Sequence, residues 1–95
     1  MKIELLQQAK IDLWEAHDFY ELQSAGLGDR FLDSLFADID SLGDTAGIHE
    51  TAYGFHRSLA RIFPFAIYYL VEDSTVRVYA VLDCRIDPMK TRRRL

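Results

Sequence analysis

One cysteine, Cys84, is all that this chain of 95 residues contains. No intrachain disulfide can form, which excludes the disulfide-stapled scaffolds of small secreted proteins. No charged-then-apolar leader opens the sequence, and no apolar run approaches the roughly 20 residues of a membrane span. These absences predict a soluble, cytoplasmic protein without a membrane partner. The sequence also lacks a Gly-rich phosphate loop, a Cys/His zinc spacing and a defensible Ser-His-Asp arrangement. No cofactor and no metal are therefore expected. There is no repeat, linker or low-complexity tract, so residues 1–95 are expected to form a single domain.

What is present is enough for a core, since 49% of the residues are hydrophobic. The net charge of −4 hides an asymmetry. Residues 1–50 carry three basic side chains (Lys2, Lys10, Arg30) against eleven acidic ones, a balance of −8. Residues 51–95 carry eight basic against four acidic, a balance of +4. Two electrostatic faces follow, and the basic one suits a nucleic acid or an acidic partner.

Periodicity divides the chain in the same way. Ala9, Leu13, Ala16 and Tyr20 recur at steps of three and four, predicting a helix near 9–24. Trp14 and Phe19 flank its stripe, and Asp12, Glu15, Asp18 and Glu21 are read as its outward face. The three-residue spacing of Glu15, Asp18 and Glu21 describes a solvated surface rather than a metal site, with His17 exposed among them. Gly26 stands where a left-handed helix cap belongs. A second helix near 27–43 carries Phe31, Leu32, Leu35, Phe36, Ile39 and Leu42 on one face. The short link makes the two an antiparallel hairpin.

The remainder reads as strands. Segments near 53–59, 62–72 and 75–84 are rich in β-branched and aromatic residues, and residues 2–7 form a further strand. Glu72-Asp73-Ser74 is a tight turn. Strict alternation places Val76, Val78, Ala80 and Leu82 under the helices, with Arg77, Tyr79, Val81 and Asp83 on the open face. Cys84 reads as a small core residue, and Lys90 to Arg94 as a frayed basic tail. The order is β-α-α-β-β-β, a two-layer α+β fold: an antiparallel sheet with an N-terminal helical hairpin on one face.

Four pieces of the chain carry a resemblance. They are Ala9-x-x-Asp12-Leu13-x-Glu15-Ala16-x-x-Phe19-Tyr20 and Gly26-Leu27-Gly28-x-Arg30-Phe31-Leu32, then Phe55 to Leu59 with Phe63-Pro64-Phe65-Ala66-Ile67-Tyr68-Tyr69, and last Val78 to Pro88. In this order and spacing they resemble the RelE/ParE superfamily, the toxins of bacterial type II toxin–antitoxin systems that include plasmid stabilisation proteins. The resemblance implies a toxin neutralised by a cognate antitoxin, as a homodimer or a toxin–antitoxin hetero-oligomer. It also implies one of two targets. ParE-like members poison DNA gyrase; RelE-like members cut ribosome-bound mRNA without a metal.

Cleavage by 2′-hydroxyl attack needs a base, cationic stabilisation and an acid. The candidates here are His56, Arg57, Arg61, Asp83 and Arg85. A binding toxin would instead use Arg57, Arg61, Arg77, Tyr79 and Arg85 as its target or antitoxin surface. RelE-like ribonucleases usually carry an arginine about where Phe65 stands, a histidine where Asp83 stands and an aromatic residue where Thr91 stands. These departures favour ParE-like binding, with a degenerate member that only binds antitoxin as a third alternative. Arg57, Arg61 and Arg85 are expected to form one positive patch.

Overall fold

Positive φ angles punctuate the chain where hairpins and the helical link require them. Asp73 and Ser74 (φ 51° and 58°) turn one hairpin, and Tyr53 and Gly54 (φ 57° and 83°) turn another. Two successive positive φ values match the right-handed twist of the flanking strands. Gly26 (φ 87°) ends the first helix and opens the second. The computed structural model, which describes residues 1–95, contains β1 (Lys2–Leu5), α1 (Gln7–Gln23), α2 (Leu27–Thr45), β2 (Thr51–Ala52), β3 (Phe55–Leu59), β4 (Phe65–Glu72), β5 (Thr75–Asp83) and α3 (Pro88–Arg94).

The strands form one five-stranded sheet in the order β1-β5-β4-β3-β2. Strands β2 to β5 pair antiparallel, and β1 joins β5 in parallel. The α+β layering is as expected, but the wholly antiparallel sheet is corrected to a mixed one at this edge.

The α1–α2 hairpin covers one sheet face. Leu13 and Tyr20 of α1 and Phe31, Leu35, Ile39 and Leu42 of α2 are buried against Phe65, Ile67, Tyr69, Val76, Val78 and Val81. At one end Tyr20, Phe31, Phe63 and Phe65 form an aromatic cluster, with Phe31 4.9 Å from Phe65 and 5.1 Å from Phe63 between ring centroids. The helices close tightly at Gly28. A Cβ there would stand 2.6 Å from the His17 carbonyl oxygen of α1. Helical Gly→Ala ordinarily gains about 1 kcal/mol, but a clash with backbone costs about 1–3 kcal/mol. Gly28→Ala is therefore expected to lower the melting temperature; an unchanged or raised one would mean that the hairpin is looser.

One irregularity changes which side chains share a face. Tyr68 pairs with Ala80, but Tyr69 pairs with Val78, so Tyr79 is an extra residue in β5. Such a bulge shifts the alternation by one position. Val76, Val78 and Val81 therefore face the helices. Ala80 and Leu82, expected beneath the helices, instead join Ala66 and Tyr68 in a second cluster on the opposite face. Val81 moves the other way.

The basic tail is also ordered, contrary to expectation. Asp87 caps α3 by accepting a hydrogen bond from the Met89 N–H at 2.9 Å, and Pro88 takes the first helical position. Thr91 is buried, and Leu95 packs on the second cluster. Cys84, expected in the core, is exposed.

Asp12, expected on the outer face of α1, turns inward to the sheet. Beyond Leu5 the edge of β5 has no partner strand, and the Asp12 carboxylate accepts the Val81 N–H at 3.0 Å. Arg94 of α3 pairs with the same carboxylate. Burial nevertheless holds the Asp12 pKa above its ordinary 3.8, against the pull of Val81 and Arg94. Ionising Asp12 therefore opposes folding. Its favourable contribution is complete below pH 3.8 and is lost as pH rises through the folded-state value. Arg94→Ala is expected to destabilise the protein at neutral pH and to have little effect once Asp12 is protonated. Melting curves at both pH values check this, and an equal loss at both would contradict the pairing.

Candidate functional site

The sheet face opposite the helical hairpin carries a cavity of about 410 Å³. The β2–β3 hairpin, Tyr68 of β4, the end of β5 and α3 build it. Arg57 of β3 lies directly across from Tyr68 of β4, and Tyr53 in the β2–β3 turn leans toward Tyr68 with centroids 6.5 Å apart. Asp83 and Cys84 at the end of β5 close one side, and Pro88 and Thr91 of α3 close another.

Arg57 is the cation of this cavity. Its Nε–H donates to the Tyr68 hydroxyl at 3.1 Å, and an Nη2–H points at the Cys84 sulfur at 3.6 Å. The Tyr68 bond holds the guanidinium above its ordinary pKa. No carboxylate forks it, so its remaining N–H donors are available to an incoming anion or carbonyl.

Apart from Asp83, the other candidates lie outside the cavity lining. Arg85 is engaged by its neighbour: its Nε–H and Nη2–H donate to the two carboxylate oxygens of Asp83 at 2.9 and 2.7 Å. This fork, chiefly, keeps Asp83 below the usual carboxylate range. Arg61 lies in the β3–β4 link, where its backbone N–H is bonded to Asp38 of α2 at 3.1 Å. Arg77 is at the other end of β5, paired with Glu4 at 2.9 Å and Glu72 at 3.4 Å. Tyr79 donates to Glu72 at 3.2 Å and packs on Phe55. None of Arg61, Arg77, Tyr79 and Arg85 lines the cavity.

His56 is on the wrong side for proton transfer in this cavity. It pairs across the sheet with Tyr69, whose ring is wholly buried on the helix side, and the two rings stack at 5.1 Å. His56 Nδ1–H donates to the His49 carbonyl at 2.9 Å. His49 Nδ1 in turn meets the Tyr69 hydroxyl at 2.5 Å, and that hydroxyl accepts the Gly47 N–H at 2.9 Å. Two histidines thus fasten the loop before β2 to a core tyrosine. His17, expected to be exposed, lies in the helical hairpin with only 15% of its side chain exposed.

Reading the sequence alone missed Tyr68, Tyr53 and Cys84 as companions of Arg57. The signal for Tyr68 was present, since adjacent tyrosines must face opposite sides of a sheet. The positive φ of Tyr53 had none.

No protein-family model and no curated protein matches the sequence. A solved structure does match: a chain of the chromosomal ParDE TA system from P. aeruginosa, with a TM-score of 0.71 and 16% identity. The alignment covers 85% of this chain and 92% of that one. The two chains share one fold. A helical hairpin that precedes the sheet is thus common to both, and the RelE/ParE resemblance of the four sequence pieces agrees with that likeness.

Proposed function

We propose that this chain is the toxin of a two-protein toxin–antitoxin module, neutralised by a cognate antitoxin and acting by binding a target such as DNA gyrase. The observation that carries this reading is the chemistry of the Arg57 cavity. It offers a guanidinium without a carboxylate fork, two phenols and an exposed thiol, and no histidine. Two carboxylates line it, Glu50 and Asp83, and Asp83 is occupied by Arg85. That combination favours recognition over an acid–base reaction, in which a proton must be taken and another returned. The ParDE likeness supports a toxin–antitoxin role on the ground of fold.

The test is induced expression with and without the antitoxin, followed by a supercoiling assay with purified gyrase. Growth arrest relieved by the antitoxin, together with loss of supercoiling, is the expected result. Full supercoiling at toxin excess would remove gyrase binding.

A second reading is an endoribonuclease on ribosome-bound mRNA. Arg57 favours it, because a phosphorane needs a cation of this kind. Primer extension on message after induction separates the two, with codon-positioned cuts favouring cleavage. Normal growth without antitoxin would instead favour a degenerate member that only binds antitoxin.

A further inference from the structure

Away from the Arg57 cavity, three side chains with metal-ligating atoms meet at the tip of the helical hairpin. His17 and Glu21 are four residues apart on α1 and share one helix face. Asp29 comes from the first turn of α2. One ligand atom from each lies within 4.8 Å of the other two. His17 Nε2 is already 3.1 Å from Asp29 Oδ1. Tetrahedral coordination with bonds of about 2.0–2.2 Å places neighbouring ligand atoms roughly 3.3 Å apart. Asp29 has 80% of its side chain exposed, so it is free to make the small closing movement.

The surroundings resemble the outer shell of a metal centre more than a solvated acidic surface. Asp18 binds His17 Nδ1 at 3.0 Å, which turns Nε2 toward Asp29. A carboxylate on the far nitrogen is how metal-ligating histidines are usually oriented. Both Glu21 oxygens are held by backbone: Gly26 N–H donates to one at 2.8 Å and Gly28 N–H to the other at 2.9 Å. Each oxygen keeps a second lone pair for a cation. Gly28 also leaves the room, since a Cβ there would stand 2.8 Å from the His17 ring and 2.9 Å from Glu21 Oε1.

We infer that His17, Glu21 and Asp29 form a divalent transition-metal site that clamps α1 to α2. One nitrogen and two carboxylate oxygens suit Zn²⁺, with water in the fourth position. The site shares no residue with the Arg57 cavity and does not depend on the toxin reading. The sequence-based expectation of no metal is set aside here. That expectation rested on local spacing within α1, whereas Asp29 reaches the site through the fold.

The test is calorimetric titration of the tag-free protein with Zn²⁺. Ni²⁺ quenching of the single tryptophan reports location, because the Trp14 ring lies 5.2 Å from His17. One Zn²⁺ per chain and quenched Trp14 emission are expected. Asp18→Asn should weaken binding by about 10-fold, as loss of an outer-shell partner does. His17→Ala and Asp29→Asn should weaken it more. Asp29→Asn keeps size and position at an exposed site, so its fold is not at issue. His49→Ala should bind as the wild type does. Absence of Zn²⁺ binding, unchanged affinity in both ligand variants, or loss in His49→Ala instead would overturn the site.

Discussion

Phe31→Ala is expected to cost about 3–5 kcal/mol, the range for removing a buried phenylalanine. Phe31 is wholly buried and is the centre of the aromatic cluster, touching Tyr20, Phe63 and Phe65 at centroid separations of 5.2, 5.1 and 4.9 Å. Three well-placed aromatic pairs add to the area term, so the upper part of the range applies. In a domain of this size each kcal/mol lowers the melting temperature by about 4–8 °C. Leu35→Ala, also wholly buried on the same helix face, should cost about 2–5 kcal/mol. Thermal and urea denaturation measure both. A loss under about 0.5 kcal/mol at Phe31 is the size of a surface substitution and would mean that α2 packs through another face.

The second large effect is expected at Arg57. Reversing its charge replaces the cavity's cation with a carboxylate while leaving the helix-side core untouched. Arg57→Glu should abolish growth arrest on expression without antitoxin. Its target affinity should fall by about 2–5 kcal/mol, at least about thirtyfold. Arg57→Lys keeps the charge but loses the planar fork and the Tyr68 contact, so an intermediate loss is expected. Arg85→Glu should do less, because the Arg85 guanidinium is already spent on Asp83. Growth curves beside melting curves separate function from folding. Undiminished toxicity of a folded Arg57→Glu variant would place the working surface elsewhere.

Much of this fold was legible in the sequence because its period is strong where burial is one-sided. The stripe Phe31, Leu35, Ile39 and Leu42 could belong only to a helix, and all four residues are buried. Strands β3, β4 and β5 were readable from apolar runs separated by turn residues, whereas β2 lay outside the strand read near 53–59 and the Tyr53–Gly54 turn fell inside it. The misplacement of Ala80 and Leu82 has a single cause. Their phase was carried from Val78 across Tyr79, and a bulge leaves no mark in a run of β-formers. The same counting put Val81 on the open face.

Helix α3 was legible and was not read. Asp87-Pro88 is an N-cap followed by a first-turn proline, but the arginine run that follows has the composition of a solvated tail. Its anchor, Arg94 on Asp12, spans most of the chain and has no local signature.

The site was less legible than the fold. Candidate arginines can be found by type, but which of them is engaged depends on partners brought by topology. Glu4 meets Arg77 only because β1 lies beside β5. Asp83 meets Arg85 from two residues away, a pairing that is local in sequence. His56 and Arg57 are neighbours in sequence on opposite faces of β3, so a motif naming both could describe only one side of the sheet.

The most direct test is a gyrase supercoiling assay run with the wild-type chain and Arg57→Glu in parallel, at equal excess. The account predicts that the wild type blocks supercoiling and that Arg57→Glu leaves it running. Full supercoiling in the presence of the folded wild-type chain would contradict it.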